Sequence, residues 1–95
     1  WSRRRQPTIP ISTEVTSDNE ASEEYTILDI TTQDGIGLLY TLTRALSKLG
    51  LDIYTARIGT QADRAVDAFY IRKNGKKITD PNDIQQISEQ LTQSL

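Results

Sequence analysis

Leu38, Leu39, Leu42, Ala45, Leu46 and Leu49 fall at i, i+1, i+4, i+7, i+8 and i+11, one apolar stripe at helical period. Polar or amphipathic residues, among them Tyr40, Thr43, Arg44, Ser47 and Lys48, occupy the remaining positions, and Gly50 follows where a left-handed C′ residue ends a helix. Upstream, residues 25–32 are β-branched or aromatic except Leu28 and Asp29, which predicts a strand. Downstream, 51–60 predicts another. Its apolar parity changes between Leu51/Ile53 and Ala56/Ile58, which points to a bulge near Tyr54 and Thr55. Gln61-Ala62-Asp63 reads as a tight connection into a strand over 64–72, and Asn74-Gly75 as the turn that ends it. Asp80-Pro81 opens a second helix as N-cap and first helical residue, with Ile84, Ile87 and Leu91 on its buried face.

Before all of these, residues 11–16 alternate weakly (Ile11, Thr13, Val15) and predict a short strand. Residues 17–22 are turn chemistry, and residues 1–10 read as a linker or tail carrying Pro7 and Pro10. The order is therefore ββαββα in a single domain over 11–95. It is an α+β fold with two helices on one face of a four-stranded antiparallel sheet. The strands at 25–31 and 65–71 carry apolar residues on both faces, so the face away from the helices needs a second cover. Pairing of two such domains is the expected answer.

Composition narrows the chemistry. The chain has 95 residues, 36% of them hydrophobic and 25% charged, which suits one ordinary soluble domain. Cys, His and Met are absent. That excludes a thiol nucleophile, a Ser-His pair, a thiolate zinc site and a disulfide framework. No spaced acidic loop suggests a metal, no motif suggests a cofactor, and no apolar run is long enough to span a membrane. A chain opening on Trp1 without Met reads as a piece of something larger. The net charge of −2 gives no help toward nucleic acid. Arg3-Arg4-Arg5 is the one dense basic cluster. It reads as a solvated linker rather than a nucleic-acid patch, because an acidic stretch from Glu14 to Glu24 follows it.

The segment with room for function is Asp34-Gly35-Ile36-Gly37, where a strand runs through a glycine-bearing turn into a helix. Unpaired amides at a helix start, with the helix dipole, favour an anion. Three readings compete. A nucleotide loop needs Gly at position 40 or a Lys-Ser/Thr pair after the second Gly, and Tyr40 and Leu38-Leu39 stand there instead. A second reading is a pocket for a small amino acid, its carboxylate on the helix amides and its ammonium on Asp34. A third is structural: Asp34 caps the helix and the glycines permit the turn. The spacing removes the first and leaves the other two open. As an enzyme the chain would have Asp34, Asp52 and Asp67 as its acid–base candidates, with no nucleophile, metal or cofactor beside them, so no catalytic residue is assigned.

The blocks at 34–39, 49–53 and 65–71 resemble an ACT domain. The blocks at 17–22, 39–46, 55–58 and 77–81 are similar to the C-terminal ACT domain of bifunctional PII uridylyltransferase/uridylyl-removing enzymes. The resemblance covers about residues 11–93. It implies a ferredoxin-like ACT fold, a homodimer or pairing with another ACT domain, and an amino-acid ligand, glutamine foremost, at the junction. Carried over by position, the ligand site is Asp34, Gly35, Ile36, Gly37, Leu38 and Leu39, with Leu51, Asp52, Ile53 and Tyr54 from the same or the paired domain. It further implies allosteric control of an attached or partner cytoplasmic enzyme of nitrogen metabolism, with no membrane and no nucleic-acid partner. The alternative is a dimerisation module without a small-molecule ligand, paired through Tyr25, Ile27, Val66 and Tyr70. One departure stands out: the family's usual Asp-Arg-Pro-Gly turn is Asp34-Gly35-Ile36-Gly37 here, looser without Pro and lacking the Arg charge.

The usual ACT order, β-α-β-β-α-β, ends on a strand at the sheet edge beside the first. Here about three residues follow the last helix, too few for a strand of roughly five. The leader strand is therefore expected to fill that edge, as in a circular permutation, with 51–60 at the opposite edge.

Overall fold

A computed structural model describes residues 12–95; the linker assigned to residues 1–10, with its Arg cluster, and Ile11 lie outside the described residues. The elements run β1 (Glu14–Asp18), β2 (Thr26–Gln33), α1 (Leu38–Lys48), β3 (Asp52–Arg57), β4 (Thr60–Gln61), β5 (Arg64–Arg72) and α2 (Pro81–Ser94). The strands form one antiparallel sheet of order β1-β2-β5-β3, with β4 pairing to β5. This is the expected ferredoxin-like α+β arrangement with the permuted edge. The leader strand lies beside β2, in register from Glu14↔Thr31 to Asp18↔Ile27, and β3 holds the far edge.

Leu28 and Ile30 of β2, with Phe69 and Ile71 of β5, point to the helices and meet Leu42 and Leu46 of α1 and Ile87 and Leu91 of α2. Helix α1 ends as its glycine predicted. Gly50 takes φ +77°, its amide bonds Ser47 O, and the Leu51 amide bonds Leu46 O, closing a Schellman motif. Asp80 caps α2 by accepting from the Asn82 amide at 2.9 Å, ahead of Pro81. Asn74 and Gly75 both have positive φ, as a tight primed hairpin turn requires.

Two strand boundaries differ from the sequence reading. The leader strand occupies 14–18 rather than 11–16, shifted by the Glu14↔Thr31 register that lays Val15 and Ser17 on the core side. The strand expected over 51–60 is broken. Leu51 belongs to the helix end, β3 stops at Arg57, and Ile58-Gly59 leads into the two-residue β4, which makes the sheet five-stranded. The break follows from Gly59, whose carbonyl takes the Val66 amide at 3.0 Å; a Cβ there would lie 3.3 Å from Val66 O. The parity change is real: the β3–β5 register shifts between Ile53 and Thr55.

A buried polar cluster ties the leader to the rest. Asn19, just past β1, donates through Nδ2 to Ile78 O at 2.8 Å and accepts from the Thr26 hydroxyl at 2.5 Å; that hydroxyl accepts the Ile78 amide at 2.8 Å. Lys77 Nζ donates to Asn19 O at 2.6 Å. Thr26 is fully buried, so removing its oxygen leaves buried partners unpaired. Thr26→Val is expected to cost about 1–3 kcal/mol. Deleting residues 1–18 removes the edge strand and is expected to lower the melting temperature of the whole domain by about 10 °C or more, in a still single transition if it folds. Thermal unfolding by circular dichroism checks both; an unchanged midpoint for the truncated chain would show β1 to be an ornament.

Candidate functional site

β2 ends at Gln33, paired to Arg64, and the ladder continues for one bond as the Asp34 amide donates to Asp63 O at 3.0 Å. The chain then turns into α1. Asp34 does not cap the helix, contrary to the structural reading of the turn: its Oδ1 accepts the next amide, that of Gly35, at 3.0 Å. The N-cap is Gly37, with φ +78°, a left-handed conformation that makes glycine the natural occupant, and no side chain caps the helix. The Leu38 amide bonds Gly35 O and the Thr41 amide bonds Gly37 O. The amides of Leu39 and Tyr40 find no partner among the described residues. They are the free donors of a helix start.

These donors border a cavity of about 220 Å³ between the turn and the β3–β4–β5 corner. Asp34, Gly35, Gly37, Leu38 and Leu39 line it from the turn, and Gly59 and Asp67 face them from the sheet. Ile36 does not line it; its side chain stands fully exposed. With Leu39, Tyr40 and Ile58 it forms an exposed apolar rim.

Residues 51–54 lie elsewhere in a single copy. Leu51 is buried in the core and Ile53 packs against it, while Asp52 is exposed on the edge strand. Tyr54 is exposed and stacks on Tyr25, ring centroids 4.6 Å apart, with the Arg72 guanidinium 4.6 Å from the Tyr25 ring. The cause is simple: 51–54 follows the C-terminus of α1 and 34–39 spans its N-terminus, roughly 16 Å away for an 11-residue helix. Of the sheet-face residues, Ile27 is already buried, Tyr25 and Tyr70 are half-buried, and Val66 is the exposed one.

Asp67 is the residue whose role the sequence reading missed, having weighed it only as an acid–base candidate. It sits in the core-facing row of β5, Ala65-Asp67-Phe69-Ile71, opposite Ile30, and is 3% exposed. Its Oδ1 accepts the Gly59 amide at 3.2 Å, and its other oxygen has no donor among the described residues. Burial raises its pKa above the ordinary 3.8; the Gly59 amide opposes that rise, and the Asp34 carboxylate adds to it. The signal was available, since period-two alternation puts Asp67 on the Phe69 side of its strand.

With a helix start opening beside a ferredoxin-like sheet, the architecture is that of a small α+β domain. A family model described as the ACR9-like, ACT-like domain matches residues 14–95, and the chain belongs to the ACT-like domain family. The chain is similar to a bifunctional uridylyltransferase/uridylyl-removing enzyme from Gluconobacter oxydans, 42% identical over 97% of this chain and 10% of the relative. Enzymes of the same name from Azospirillum brasilense and Rhodospirillum rubrum are 43% and 37% identical, over 82% and 94% of this chain and 8% and 10% of their own length. The chain thus spans about a tenth or less of the curated relatives it matches, a small regulatory piece by comparison. No solved structure matches it. No helix among the described residues is long and apolar enough to cross a membrane, and no three His, Cys, Asp or Glu residues among them gather to hold a metal.

The raised pKa of Asp67 sets a pH dependence. Its ionised form is the less stable one in the fold, so the cost is present above the folded pKa and disappears as pH falls through that value to below 3.8. Asp67→Asn, which keeps an acceptor for the Gly59 amide, is expected to raise the melting temperature near neutrality and to give no gain once both groups are uncharged at about pH 3. Scanning calorimetry at the two pH values reads the difference; a loss of stability near neutrality would overturn it.

Proposed function

We propose that this domain binds a small amino acid, glutamine foremost, at the N-terminus of α1 and thereby controls an attached or partner enzyme. The observation that carries the reading is the pair of free amides, Leu39 and Tyr40, opening on a cavity that Asp34 borders. The amides and the helix dipole suit a carboxylate, and the acidic side chain suits an ammonium group. The controlled enzyme, in this reading, is a cytoplasmic uridylyltransferase of nitrogen metabolism, the kind of protein its relatives are named as.

Regulation then needs two states. The exposed rim of Ile36, Leu39, Tyr40 and Ile58 offers a surface for a second copy or another ACT domain. Residues 51–54 of the paired domain would complete the site, and a ligand held across the junction favours the paired state by its differential affinity. A tenfold preference is worth about 1.4 kcal/mol. A dimerisation module without a ligand is the second reading, favoured by the full exposure of Ile36 in place of the family's proline.

A thermal-shift screen of the proteinogenic amino acids separates the two. A ligand at about 100 times its Kd stabilises the fold by about 2.7 kcal/mol, a rise on the order of 10 °C or more for a domain of this size. Gly37→Asp places a carboxylate where the ligand's must approach. The left-handed backbone there costs a non-glycine residue on the order of 1 kcal/mol, so the fold is kept and glutamine binding is expected to vanish in calorimetry. If no amino acid raises the melting temperature, the ligand reading fails. Light scattering at high micromolar concentration is expected to give about twice the 10.7 kDa mass of one chain, and a clean monomer would count against pairing.

A further inference from the structure

A charged residue in the core-facing row of a central strand needs a reason. Among the described residues Asp67 has no cation beside it: the titratable side chains lining its cavity are Asp34, Tyr40 and Asp67 itself. On its own face β5 flanks it with Ala65 and Phe69, and β2 sets Ile30 opposite. One carboxylate oxygen is held by the Gly59 amide and the other is free of donors among the described residues, in a side chain that is almost wholly buried. Asp34 approaches from the other wall of the same cavity, close enough for the two carboxylates to repel. Two like charges turned on one small space are relieved by a cation between them. No third carboxylate among the described residues joins them to suit a metal ion.

We propose that Asp67 is the residue that selects a ligand bearing an ammonium group, which it holds together with Asp34 inside the cavity. The inference rests on the amino-acid reading above and deepens it. The helix amides would accept any small carboxylate; the acid on β5 is what distinguishes an amino acid from the corresponding plain acid. Protonation of Asp67 removes that distinction, and burial shifts that protonation upward from the ordinary carboxylate value of 3.8.

The test compares two probes, L-glutamine and glutaramate, which is glutamine without its ammonium group, by calorimetry on the 95-residue chain. The wild-type chain is expected to bind glutamine about tenfold or more tightly than glutaramate. Asp67→Asn is expected to erase that ratio by weakening glutamine alone, while Gly37→Asp loses both probes. The wild-type ratio is expected to shrink as pH falls through the raised Asp67 pKa, and to stay flat in Asp67→Asn. If Asp67→Asn binds glutamine as the wild type does, or weakens both probes alike, Asp67 is a structural acid and the proposal is overturned while the amino-acid reading stands. If neither probe binds the wild-type chain, both fail. Melting temperatures measured on the same samples separate a lost ligand from a lost fold.

Discussion

The pairing of β1 with the outer edge of β2 is the constraint on which the rest of the domain depends. Without it β2, whose residues supply Leu28 and Ile30 to the core, would present a row of unpaired backbone groups to water. The Asn19–Thr26–Ile78 cluster fixes the leader against the segment that leads into α2. One small polar knot therefore joins the start of the sheet to the start of the last helix. The position of α2, and through it the packing of α1, follows.

The site stands at the other end of the same sheet, where the rules of packing are relaxed. The β5 row facing the helices runs Ile71, Phe69, Asp67 toward the turn, apolar until it reaches the cavity. A left-handed glycine in place of a side-chain cap leaves helix donors free where most helices satisfy them. Both features cost stability and both face one cavity.

Most of the fold was legible because its signals are periodic and local. The leucine stripe of α1, the Asp80-Pro81 start of α2 and the Asn74-Gly75 turn each contain their own reason. The leader strand was legible from the weak alternation of Thr13 and Val15 ahead of the turn residues 17–22. The break after Arg57 was not: it depends on Gly59 meeting Val66 across a hairpin, a contact between strands that no single stretch announces. Whether 51–54 meets 34–39 within one copy or across a pair depends likewise on contacts between elements. Positions 34–39 and 51–54 are near in sequence, but α1 lies between them and holds them a helix length apart within one copy. Asp67 was legible in parity and overlooked because its neighbours in sequence, Val66 and Ala68, read as an ordinary strand.

Closing the edge with the leader also changes how the chain finds its fold. In the unpermuted order the edge strand is the last element made, and it must return across both helices to meet its neighbour. Here residues 19–25 alone separate the two partners, so the same edge is sealed by a hairpin. Closing a short loop costs less chain entropy than closing a long one, and local pairings lower the contact order on which folding speed depends. The β1–β2 pairing is thus a local contact, available as soon as residues 14–33 have been synthesised and before α2 exists.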